Sequence, residues 1–123
     1  MRIVERRISL DECRTERFEA YGGPGFWDVL DPQVLASGGV THVVVLDVHG
    51  VLDAQARELC THIRRLVTAG ERTVVVNLGR MTSYDDVGMG ELVKAYIDVA
   101  RGGAKMLLVN IPTWLLRTLQ RLL

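Results

Sequence analysis

Cysteine is nearly absent: Cys13 and Cys60 are the only two. They lack C-x-x-C spacing and make no disulfide framework. Cys60 falls on the apolar side of a helical pattern and reads as a buried free thiol. Histidine is also sparse. His42, His49 and His62 follow no H-x-x-x-H or similar spacing, which leaves metal binding without a ligand set. Surplus charge is missing as well. Fifteen basic and fifteen acidic side chains cancel, so no long-range field is aimed at nucleic acid or an anionic membrane. No apolar run approaches ~20 residues, and no segment is expected to span a bilayer. The N-terminus, MRIVERRISL, is broken by charges and has no signal-peptide h-region, so a cytoplasmic location is the expectation.

What is present suits one globular domain: 123 residues, 48% of them hydrophobic. Val43–Val48 is a β-branched apolar run that reads as a strand buried on both faces, with His49-Gly50 ending or bending it. Ala54–Ala69 has helical periodicity, with Leu59, Ile63, Leu66 and Val67 on one face. Asp53 suits its N-cap and Gly70 its C′ position. Thr73–Leu78 is a second strand. Met89, Leu92, Val93, Tyr96, Ile97 and Ala100 then repeat at helical spacing until Gly102-Gly103. Met106–Val109 is a third strand, and Pro112 can occupy the first turn of a last helix. This alternation implies an α/β sandwich with parallel central strands and right-handed crossovers. Upstream, Arg2–Ser9 could be an edge strand and Asp11–Tyr21 has helical propensity. YGGPG is a turn or loop, and Phe26, Trp27, Val29 and Leu30 form an apolar cluster.

The junction Asn77–Gly90, NLGRMTSYDDVGMG, carries the most chemistry. Adjacent carboxylates, Asp85 and Asp86, stand where a helix begins and its first N–H groups lack partners. The pair Gly88-x-Gly90 lacks the third glycine and ribose-binding acid of a nucleotide fingerprint, and close helix-to-sheet packing explains it better. No G-x-S-x-G elbow exists to recruit Ser83, His49 and Asp85 into a triad. Adjacent acids on a helix point in different directions. No catalytic constellation, metal or cofactor is expected, and the chain is read as a non-enzyme.

These junctions together resemble a known family. The features are a strand leading to Gly50-Val51-Leu52-Asp53, a helix, and a second strand ending Asn77-Leu78. Thr82, Asp85, Gly88-x-Gly90, Gly102-Gly103 and the strand Met106–Asn110 follow. From about Thr41 to Leu119 the chain resembles a STAS domain of the anti-sigma factor antagonist kind. The resemblance implies an α/β, STAS-like sandwich with a mostly parallel mixed sheet over residues 41–123, preceded by an N-terminal extension, residues 1–40, packing on that core. In such antagonists the connector is similar to D-L-x-x-V-x-F-[IM]-D-S-S-G-L-G. Its first serine is phosphorylated by a partner that is both serine kinase and anti-sigma factor. Unphosphorylated antagonist binds that partner. Residue by residue, Asn77 stands at the first Asp, Asp85 at the second, Asp86 at the phospho-acceptor and Val87 at the next serine.

The departure falls on the functional residue, since Asp86 has no hydroxyl to phosphorylate. Its carboxylate carries about one negative charge against ~1.5–2 for a phosphoserine. One reading makes Asp85 the helix cap and Asp86 a first-turn acid; the other makes Asp86 a fixed charge at the usual phosphosite, and the two are compatible. Thr82 and Ser83 are alternative phosphosites, although Thr82 more simply satisfies backbone groups. Asp53 is a cap or a partner contact. The resemblance implies partner-binding by Asp53, Thr82, Ser83, Asp85, Asp86, Val87, Gly88 and Met89, against an anti-sigma factor or serine-kinase-like protein. The alternative is a constitutive structural subunit of a larger assembly, a stress-signalling scaffold or the partner of a lipid-transport ATPase. Trp114, Leu115, Leu116, Leu119, Leu122 and Leu123 form either a wide core face or an interface, including one between copies of the chain, unless Phe26, Trp27 and Leu30 cover them.

Overall fold

The run of valines at the chain's centre builds the second strand, and everything else is arranged around it. A computed structural model of the protein describes residues 1–9 and 41–122, without the side chains of Leu119, Gln120 and Leu122. The helix read over Asp11–Tyr21, the YGGPG turn, Cys13 and the Phe26–Leu30 cluster lie outside the described residues.

Strands β1 (Arg2–Ser9), β2 (His42–Leu52), β3 (Thr73–Tyr84) and β4 (Lys105–Val109) form one sheet in the order β1-β2-β3-β4. β1 lies antiparallel to β2, from Arg2 opposite His49 to Ser9 opposite His42. β2–β3 and β3–β4 are parallel. Helices α1 (Ala56–Thr68), α2 (Asp86–Arg101) and α3 (Thr113–Leu122) follow β2, β3 and β4 respectively. The fold is therefore α/β with a mostly parallel mixed sheet, as the strand–helix alternation implies.

The central strands are buried on both faces. Val44, Leu46 and Val48 meet Leu59, Ile63 and Leu92 in the main core. Val43, Val45, Val75 and Val109 on the alternate positions are just as fully buried. Parallel strands covered on both faces read as continuous apolar runs, which is why Val43–Leu46 and Val74–Val76 are unbroken. A fully buried Leu contributes ~1.5–3 kcal/mol, and Leu46, Leu78, Leu92 and Leu115 are all of that kind.

Helix ends follow local chemistry. After α1, the N–H of Gly70 donates to Val67 O at 3.1 Å and that of Glu71 to Leu66 O at 3.0 Å, a Schellman closure with Gly70 at C′. After α2, Ala104 N–H reaches Val99 O at 3.2 Å and Gly103 takes the C′ position. Pro112 precedes α3, and its carbonyl accepts from Leu115 and Leu116.

Three expectations are corrected. α1 begins at Ala56, not Ala54, and Asp53 is not its N-cap; the Asp53 carboxylate instead accepts from Gln55 N–H at 2.9 Å, a local turn that delays the helix. β3 runs on to Tyr84 beyond the apolar stretch, because β2 bends at Gly50 and continues beside it. Finally, the buried face of α2 is Gly88, Met89, Leu92, Ala95 and Val99, which leaves Ile97 and Ala100 in solvent.

Candidate functional site: the exposed face where β2, β3 and α2 meet

Beyond the parallel core, β2 carries irregularities between Asp47 and His49 and between Gly50 and Val51. Gly50 sits at φ 93°, in the left-handed region that glycine adopts without cost. The bend lets Val51 pair with Ser83 and Leu52 with Tyr84. The Leu52 carbonyl then accepts from Asp85 N–H at 3.0 Å, tying the start of α2 to the end of β2.

Asp85 is the N-cap of α2. Its backbone is extended, its Oδ1 accepts from Gly88 N–H at 2.8 Å, and its carbonyl accepts from Met89 N–H at 3.0 Å. Gly88 is demanded by the same closeness: a Cβ there would overlap the Leu52 carbonyl and lie 2.7 Å from Asp53 N. Gly90 is different. A Cβ on it would meet nothing within 4 Å among the described residues, so there the packing explanation holds for one glycine of the pair only.

With Asp85 committed to capping, Asp86 is exposed in the first turn, with no side-chain hydrogen bond or ion pair among the described residues. Val87 beside it is 53% exposed and Val51 across the junction 40%. Thr82 and Ser83 are exposed on β3. Contrary to expectation, the Thr82 hydroxyl satisfies no backbone group among the described residues; it stands on a strand whose backbone is already paired with β2. Asp53 is half-buried, its carboxylate engaged with Gln55 N–H. Gly88 and Met89 are buried, so among the residues grouped by sequence they support the face from beneath. Sequence pattern does not mark Val51 as outward, because the irregularity at Gly50 disrupts the alternation that would do so.

Two further arrangements frame this face. On one side, Tyr84 stacks on Trp114 of α3, ring centroids 5.6 Å apart and planes within 4°, and its hydroxyl shares a 2.9 Å hydrogen bond with Thr118. On the other, a polar chain crosses the sheet. Arg6 binds Asp47 in a bidentate pair at 2.6 and 3.1 Å, Asn77 Nδ2 donates to Asp47 Oδ1 at 2.8 Å, and Asn110 Nδ2 donates to Asn77 Oδ1 at 3.1 Å.

Cys60 is buried, as its position on the apolar side of α1 implies. Its thiol donates to the Glu91 carbonyl at 3.0 Å, and burial, with help from the Glu91 charge, pushes its pKa up to about 11. A pocket between α1 and α2, lined by Cys60, Ile63, Val67 and Ala95, includes none of the residues grouped as partner-binding. No cluster of metal-ligating side chains occurs among the described residues.

The STAS domain family model matches residues 32–122. The chain belongs to the STAS domain family. Among solved structures, this STAS domain is similar to the anti-sigma factor antagonist SpoIIAA in its unphosphorylated form. The TM-score is 0.55 at 16% identity, over 85% of this chain and 82% of that one. The phosphorylated form of SpoIIAA, a Bacillus cell fate determinant, matches with TM-score 0.55 at 20% identity over 64% of this chain and 73% of that one. Mglu matches with TM-score 0.52 at 29% identity over 58% of this chain, which spans only 18% of Mglu. No curated protein matches the chain. The likeness to SpoIIAA establishes the fold. No helix among the described residues is long and apolar enough to cross a membrane.

Proposed function

We propose that this STAS domain is a cytoplasmic, non-enzymatic regulatory module that binds another protein through the face formed by Val51, Asp53, Thr82, Ser83, Asp86 and Val87. The partner is an anti-sigma factor or serine-kinase-like protein, by analogy with the antagonist whose fold it shares. Asp86 supplies a fixed negative charge where such antagonists carry the phospho-acceptor serine.

One observation carries this reading: Asp85 performs the capping alone, so the Asp86 charge is left exposed and unused beside two exposed valines. On this rigid strand–helix corner the exposed apolar area favours docking, and the fixed charge, standing where a phosphate would, holds it weak. Side-by-side capture of proteins from the source cell by wild type and Asp86→Ser tests it. Asp86→Ser is expected to bind the partner roughly tenfold more tightly, or to become a kinase substrate by intact mass. Equal binding by both, with no phosphorylation of either, would remove the role given to Asp86.

The second reading, a constitutive subunit of a larger assembly, draws support from Trp114, 47% exposed beside the same face. An aromatic surface of this kind suits a permanent interface. The native size separates the two readings: a stoichiometric large complex favours the subunit, a transient one-to-one complex the antagonist.

A further inference from the structure

Helix α2 carries a second pattern away from its buried face, of which only Val93, packed in part against the core, is explained by the helix's own packing. Asp86, Gly90, Val93, Ile97 and Ala100 follow one another at intervals of four, three, four and three residues. That is the spacing of a coiled-coil seam, and it sits on the side of α2 away from the core. Val93 is half-buried, Ile97 is 42% exposed, and Asp86, Gly90 and Ala100 are exposed. Gly90 is the odd member. It lies inside a helix, where glycine costs ~1 kcal/mol relative to alanine, and a Cβ there would meet nothing within 4 Å among the described residues. Packing among the described residues gives no reason for it. A second helix approaching closely at that point would.

The charges at the two ends say which helix fits. Asp86 stands in the first turn and Arg101 in the last, both exposed and neither ion-paired among the described residues. We propose that two copies of this chain associate through α2, antiparallel about a two-fold axis that crosses the outward seam midway between Val93 and Ile97. In that register Val93 packs against Ile97 of the second copy, and Gly90 lies opposite Ala100 of the second copy, each contact occurring twice. The small pairs allow close backbone approach while the large pairs fill the centre. Arg101 of the second copy comes level with Met89, within about one turn (~4.5 Å along the axis) of Asp86, near enough for its long side chain to pair. Helix macrodipoles also align favourably in this antiparallel arrangement. One helix pair buries less than the ~800 Å² per partner of a standard interface, so the dimer is weak and concentration-dependent. Because the seam starts at Asp86, association would occlude the α2 side of the proposed docking face. That consequence rests on the docking reading; the dimer does not.

Sedimentation equilibrium of the full chain up to about 1 mM tests the dimer directly. Wild type is expected to show a monomer–dimer equilibrium in that range. Asp86→Arg and Arg101→Asp should each weaken it about 3- to 10-fold, and the double swap should return it to near the wild-type value. Ile97→Asp should weaken it on the order of 100-fold. Gly90→Leu should weaken the dimer while leaving the circular dichroism spectrum and monomer folding intact. A wild type that stays monomeric throughout overturns the proposal, as does a dimer whose constant ignores all four single substitutions. Neither result bears on partner capture by Asp86→Ser, so failure of the dimer and failure of the docking reading are separately visible.

Discussion

Asn77 on β3 donates a hydrogen bond to Asp47 on β2 across 2.8 Å, and its own carbonyl oxygen accepts from Gly79 N–H at 3.0 Å and from Asn110. The amide is used from both ends, as donor toward a carboxylate and acceptor from two amides. This accounts for an asparagine where the antagonist pattern has an aspartate, since Asp47 already supplies the negative charge opposite Arg6. Asn77→Asp would lose the donor and set two carboxylates in contact, costing about 1–3 kcal/mol. Their repulsion would raise a folded-state pKa, so the loss should be largest at neutral pH and shrink toward pH ~4. Urea unfolding of both proteins across that range measures it.

Gly88 and Gly90 should respond in opposite directions to alanine. Gly88→Ala forces the start of α2 away from the Leu52 carbonyl and should destabilise by more than ~2 kcal/mol. Gly90→Ala meets open space and should stabilise by up to ~1 kcal/mol. Thermal unfolding of the two variants decides this.

Asp85 and Asp86 are adjacent acids with unequal structural duties. Asp85→Ala removes the side-chain acceptor of Gly88 N–H and should cost ~1 kcal/mol. Asp86→Ala forgoes only a first-turn dipole interaction and should cost no more than about 0.5 kcal/mol. Equal losses from the two in thermal unfolding would contradict the division of labour that leaves Asp86 outside the cap.

Glu71, just after α1, joins His42 and Arg7 at 2.9 and 2.6 Å. Burial alone would raise its pKa, but the hydrogen bonds and charges of His42 and Arg7 together outweigh it and hold the carboxyl below its ordinary value of 4.5. A depressed carboxylate contributes stability that is complete above its unfolded pKa and is lost as pH falls through the folded one. Wild type should therefore lose stability below pH 4.5 more steeply than Glu71→Gln, whose acid slope should be shallower. Chemical denaturation from neutral pH downward shows the difference.

Cys60, with its pKa raised from 9.0 to about 11, should hold on the order of 100-fold less thiolate than an unperturbed thiol at pH 8. In a Cys13→Ser background, Ellman's reagent should label native protein far more slowly than the same protein in urea. Fast native labelling would contradict the burial of this thiol beneath Glu91.

Much of this protein was legible from its sequence. The valine runs at 43–45 and 74–76 require strands covered on both faces, and strands of that kind separated by helical periods require a parallel α/β sheet. Gly70 and Gly102-Gly103 announced helix ends for a local reason, the left-handed residue that closes the final turn. Asp85 before a helical pattern announced a cap. The continuation of β3 through Gly79–Ser83, where Met81 is the one apolar residue, was not legible, because its partner is the bent end of β2, and ladder hydrogen bonds ignore side-chain pattern. Nor were the amide role of Asn77, the Tyr84–Trp114 stack or the freedom of Asp86. Each depends on which residue from a distant part of the chain arrives within hydrogen-bond or contact distance. Sequence alone determined that two acids stand at a strand-to-helix junction. Tertiary structure decided that the first is consumed by Gly88 N–H and the second is left exposed in the first turn, because only the approach of α2 to Leu52 gives the two neighbours different surroundings.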